Sequence, residues 1–208
     1  MTPDFAKMSS EAFLREHGIA INPHLPILEP LDEFTPQTAQ VVATRGVVLS
    51  YIIGLGFGGT GKEIKPAIVE HGLLAALSAS ELALLDSAAI SEQEEINCTW
   101  LTECAQSLAY CLGLVDLDPF RHCDDDLASN FPDPFTDPKP FIEYATLRPI
   151  IEIYLQADLH YRIHWAARSF RAAETNCTIE EGFIRERRKP LDWVIGFGDD
   201  WDEISLDT

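Results

Sequence analysis

The stretch Leu147 to Thr175, LRPIIEIYLQADLHYRIHWAARSFRAAET, constrains the fold more than any other part of the chain. Pro149 suits the first turn of a helix, where its missing N–H would have had no partner. Leu147, Ile151, Tyr154, Leu155, Tyr161 and Trp165 then recur at three- and four-residue steps and make one wide apolar face. Asp158 falls on that face between Tyr154 and Tyr161, and Arg162 follows four residues on, within reach along the helix. A charge on a core-facing stripe is costly unless it is paired. The spacing therefore predicts a buried Asp158 held by Arg162, with Arg148, Arg168 or Arg187 as alternatives. Such an acid serves either a structural ion pair or a catalytic or ligand-binding site.

The remaining segments also read as helices, and no alternating run is long enough for a strand. The fold class expected is mainly α: a single-domain multi-helix bundle with an extended proline-rich N-terminal arm and an acidic C-terminal tail. Residues 1–34 hold a short helix from Ser10 to His17, closed by Gly18, and the arm with Pro23, Pro26 and Pro30. Residues 35–208 form the helical domain. Thr35-Pro36 starts a helix that runs to about Ile53 along a narrow face of mostly small residues. Pro66 opens another, Ala67 to about Leu77. Ser78 with Glu81, Ser91 with Glu94, and Thr178 with Glu181 each fit a capping box. The second box opens a long helix carrying Trp100, Glu103, Cys104 and Cys111 and ending at Gly113. Residues 116–140 read as loop, with five prolines and the acid run Asp124 to Asp126. After the third box comes a helix with Arg185, Glu186, Arg187 and Arg188, which Pro190 should kink or end.

GLGFGGTGKE, Gly54 to Glu63, contains both GxGxxG and GxxxxGK spacings. Each needs a strand before the loop and a helix after it, whereas the upstream segment has helical period. Glu63 also stands where a phosphate loop needs a hydroxyl for magnesium. The stretch reads as a loop between helices, and no cofactor is expected.

Formal net charge is −19, which excludes nucleic acid as a direct ligand, because phosphate contact needs a basic surface. The charge is uneven. Arg148 to Lys189 hold eight of the 15 basic residues, and the chain from Pro190 onward has six acids and no base. A basic layer inside an acidic protein is expected to be neutralised internally, leaving an acidic exterior that steers a basic partner. The N-terminus has no signal-peptide core, and Gly46 to Gly59 is short and glycine-rich for a membrane span, so no membrane association is expected. Five cysteines without CxxC spacing suggest neither a disulfide framework nor a zinc knuckle, in keeping with a reducing cytoplasm.

LRPIIEIYLQADLHYRIHWAARS, then ERRKPLDW, then WDEISLDT, with WLTECAQSLAYCLGLVDLDP upstream, resemble the bacterial family known as domain of unknown function 4272. The likeness spans roughly residues 38–208 and rests on the order and spacing of the motifs. Tyr110 stands where tryptophan is the family's residue, and Pro190 lies in a helix that the family pattern makes continuous. The resemblance implies a soluble, mostly helical bacterial protein and carries no activity with it.

Two readings of function follow. The first is a non-catalytic binding or adaptor protein, in the manner of acidic immunity proteins that neutralise a basic partner. The second is a small-molecule or metal-dependent enzyme built around Asp158, His160, His164 and nearby arginines. His160 and His164, spaced i, i+4, can place two rings on one metal, but the third ligand would have to come from Asp158, Glu103 or His122. No GxSxG or recognisable catalytic cysteine motif is found, which tips the balance toward the first. The polar network in which a site would lie comprises Glu103, Arg148, Asp158, Arg162, His164, Trp165, Arg168, Glu186, Arg187 and Trp193.

Overall fold

The computed structural model describes residues 2–172 and 179–208. Among them are eight α-helices and no strand: α1 Pro3–Glu16, α2 Ala39–Ile53, α3 Gly61–Glu70, α4 Ala79–Asp86, α5 Glu92–Cys111, α6 Lys139–Glu143, α7 Ile150–Ala172 and α8 Glu181–Ile195. Short 3-10 turns connect them. The fold is all-α, as its helical periodicity predicts. Packing runs from α1 to α7, α8, α5 and α2 in that order, with α3 against α2 and α4 against α3. One apolar cluster fills the centre, from Val42 and Leu49 on α2 through Leu108 on α5 and Tyr154 on α7 to Leu191 on α8. A second lies under α3 and α4, and a third joins α1, α7 and α8.

Two of the expected capping boxes place helix starts. Ser78–Glu81 and Ser91–Glu94 both form the reciprocal box. A third box, Thr60 with Glu63, opens α3. The pseudo-phosphate loop is therefore a 3-10 turn followed by a helix whose first turn contains Gly61 and Lys62, and Glu63 serves as cap partner. Pro66 lies inside α3 instead of opening it. The box read at Thr178 and Glu181 includes a residue outside those described. Helix α1 begins at Pro3, seven residues before the expected Ser10, and α2 begins after Thr38, whose hydroxyl accepts from the Val41 N–H. With its following turn, α2 makes a stretch, Ala39–Phe57, long and apolar enough by length and composition to cross a membrane. Here it is a core helix, with Val42, Val47, Val48 and Ile52 wholly buried.

Pro190 does not end α8, which continues to Ile195 and closes on Gly196 in the left-handed conformation. Proline frees the carbonyl four residues back, that of Glu186. The Cys104 thiol of α5 donates to this carbonyl at 3.0 Å, which supplies the missing partner. The stripe expected on α7 also needs correction. From Ala157 to His164 every residue is buried, whereas Ile151, Leu155 and Trp165 are only half-buried. A helix enclosed by α1, α8 and the arm has no solvent face along that stretch.

The proline-rich arm lies along α7 and α1. Lys7 Nζ donates to the carbonyls of Pro23 and Leu25 at 2.7 and 2.8 Å, and Tyr154 Oη donates to the Glu29 carbonyl at 2.9 Å. The C-terminal segment is also docked. Trp201 and Ile204 are buried, and Asp202 accepts from the Ser80 N–H and hydroxyl at the start of α4. A carboxylate there faces the positive end of the helix dipole.

Candidate functional site

Among the described residues eight charged side chains are buried, four arginines and four carboxylates, and they meet in pairs. Asp158 and Arg162 lie on successive turns of α7, 0% and 1% exposed. Arg162 Nε and Nη2 donate to the two carboxylate oxygens at 2.9 and 2.8 Å, and Nη2 also reaches the Pro26 carbonyl at 3.2 Å. The i, i+4 spacing brings them together, and the arm closes over them.

Glu103 of α5 receives Arg187 Nε of α8 at 2.8 Å on one oxygen, and His122 Nδ1 at 2.7 Å with the Cys123 N–H at 3.3 Å on the other. Arg187 also donates to the carbonyls of Asp118 and Arg121, and its guanidinium lies 4.4 Å from the Phe183 ring centre. This set fastens the loop after α5 onto the two central helices.

Arg188 donates to Asp192 at 2.8 Å, to His164 Nδ1 at 3.1 Å, and to the carbonyls of Leu206 and Asp207. Because His164 Nδ1 accepts, its proton sits on Nε2. Burial and the Arg188 charge lower its pKa to about 4. Burial likewise lowers His160 to about 3, and its Nδ1 donates to the Gln156 carbonyl at 2.8 Å. Burial raises the Asp192 carboxyl to about 6 against the pull of Arg188. The fourth pair, Arg45 of α2 with Glu81 of α4, had no signal in sequence beyond one arginine in an apolar helix. Arg45 stacks on Trp201 at 4.6 Å.

The remaining expected residues scatter. Arg148 ends α5, donating to the Tyr110 and Val115 carbonyls at 2.8 Å each and covering the Tyr110 ring. Cations suit a helix C-terminus. Glu186 pairs with its neighbour Arg185. Arg168 is exposed and Trp165 half-buried. Trp193 Nε1 donates to the Asp199 carbonyl, and its ring meets Trp201 edge-on at 5.3 Å. No group of three or more metal-ligating side chains converges among the described residues.

The family model described as domain of unknown function (DUF4272) matches residues 6–204. The chain belongs to that family. The match takes in α1 and the arm as well as the segment from residue 38, so the arm that closes over Asp158 and Arg162 lies within the DUF4272 pattern. Nothing matches the chain among curated proteins or among solved structures.

Two concavities of this DUF4272 chain differ in chemistry. One, of about 540 Å³, lies between α2 and the C-terminal segment and is lined by Arg45, Ala76, Trp193 and Trp201. The other, of about 420 Å³, lies on the loop after α5, where Asp116, Asp118, Asp124 and Asp126 surround Arg121 and His122. Neither is lined by Asp158, His160 or His164.

Proposed function

We propose that the protein is a non-catalytic binding protein whose acidic exterior engages a basic protein partner. One observation carries this reading. Among the described residues the buried charges are four arginines against four carboxylates, so the excess of −19 lies outside that buried set. Because these pairs are matched, burying them leaves the full acidic excess on the rest of the chain. An acidic surface speeds encounter with a basic partner and opposes wrong ones. The acid-lined hollow on the loop after α5 is one place where that charge concentrates.

An enzyme built on Asp158, His160 and His164 is less well supported. Asp158 is held by Arg162, His160 turns to its own helix, and His164 accepts from Arg188. Each has a structural occupation and none converges on the others.

The test is affinity capture from the native host at low salt, followed by titration of the purified partner. A net-positive protein is expected, with affinity falling at least about tenfold between roughly 0.05 and 0.5 M salt. An acidic partner, or affinity indifferent to salt, overturns the reading.

A further inference from the structure

The turn Asp133–Pro134–Phe135–Thr136 carries a phenylalanine that is 97% exposed. Scattered exposed apolar residues are ordinary on protein surfaces. This one differs in how firmly it is presented. Pro134 restricts φ at the second turn position, and the Thr136 N–H donates to the Asp133 carbonyl at 3.0 Å. The Phe135 N–H donates to Asp133 Oδ1 at 2.8 Å. Two further bonds fasten the turn to the body: Tyr51 Oη to the Asp133 carbonyl at 3.2 Å, and His71 Nε2 to the Pro134 carbonyl at 3.1 Å. Tyr51 is itself 1% exposed. The backbone beneath Phe135 is therefore already ordered, and binding through the ring would not bear the cost of ordering a loop.

The surroundings say what the ring can meet. Asp133 and Asp137 flank it in the chain and are exposed. The adjoining cleft, of about 700 Å³, is lined by Glu70, Glu143, Asp137 and Ile142, with Lys139 and His71 as its basic members. An apolar knob among carboxylates fits an apolar pocket rimmed by lysine or arginine. It does not fit a second copy of this chain or an anionic lipid surface, both of which would bring like charge to the same face.

We propose that Phe135 is the apolar anchor of an interface with a basic protein, whose pocket takes the ring while its rim pairs with Asp133, Asp137, Glu70 and Glu143. The inference rests on the basic-partner reading above and assigns that partner a docking face. Well-packed aromatic side chains at interface centres are the residues whose loss costs most in binding.

The test has two stages. A photo-crosslinking phenylalanine analogue is placed at position 135 of the full chain in the native host, and at position 8 as an exposed control on α1. The expected result is an adduct from position 135, absent from position 8, whose other component is a net-basic protein. The purified partner should then bind F135A at least about 30-fold more weakly than wild type. The melting temperature of F135A should be unchanged, because Phe135 is almost wholly exposed among the described residues. No adduct at 135, or unaltered affinity in F135A, overturns the anchor. A basic partner crosslinked only from position 8 does so while leaving the wider reading intact, and an acidic partner or a self-adduct at 135 overturns both.

Discussion

Removing the Asp158 carboxylate tests the account of the buried charges most sharply. In wild type the Arg162 guanidinium is 1% exposed and makes three hydrogen bonds, two of them to Asp158. In D158A only the Pro26 carbonyl is left to it, and a full positive charge stays in a low-dielectric interior. Breaking a buried pair in this way costs about 3–5 kcal/mol, a large share of the ~5–15 kcal/mol that stabilises a domain. At about 2–4 °C per kcal/mol for a chain of this size, the melting temperature should fall by roughly 6–20 °C. Calorimetry or circular dichroism reads the shift, and D125A in the exposed acid run should stay near wild type. The double variant D158A/R162M removes the stranded charge too and should melt above D158A, although it lacks one more native side chain. Melting of D158A within about 1 °C of wild type, or simple additivity in the double variant, would refute the reasoning.

Three further outcomes are expected. K62A should change stability by no more than about 0.5 kcal/mol and should leave no ATP or NAD binding to be lost, since Lys62 is exposed in the first turn of α3; saturable nucleotide binding that K62A abolishes would count against this. G61A, one residue away, should cost at least about 1–3 kcal/mol in a denaturant titration, because a Cβ there meets the Leu85 backbone carbonyl. Stability should also fall as pH drops from about 6.5 toward 4. His164 and His160 have folded pKa values lowered to about 4 and about 3, so the unfolded chain takes up their protons first. Asp192, raised to about 6, acts in the opposite sense and offsets one histidine between about 4 and 6. H164Q should therefore flatten the stability curve in that window by up to about 1.4 kcal/mol per pH unit, and an unchanged slope would show that His164 is not held neutral.

What can be read from sequence here is what depends on neighbours along the chain. The all-α class follows from helical period, and the starts of α4 and α5 follow from capping boxes closed within four residues. The Asp158–Arg162 pair follows from i, i+4 spacing on one helix. Local signals misplace some helix starts, at α1, α2 and α3; the other failures lie where distant segments act on each other. The Glu103–Arg187 and Arg45–Glu81 pairs join residues 84 and 36 positions apart, which no local pattern encodes. Pro190 is a helix breaker by its own chemistry, and only the approach of Cys104 from α5 supplies the partner that lets α8 continue. Periodicity likewise gives α7 a single apolar face, whereas neighbours bury Arg162, His160 and His164 along its middle. Phe135 is the converse case. Its apolar ring suits the interior, and the bonds from Tyr51 and His71 hold its turn where it stays uncovered among the described residues. Local sequence sets which bonds a segment can close within itself, the i, i+4 ion pair included; which charges pair between helices, and which apolar side chains stay uncovered, is decided only when the helices meet.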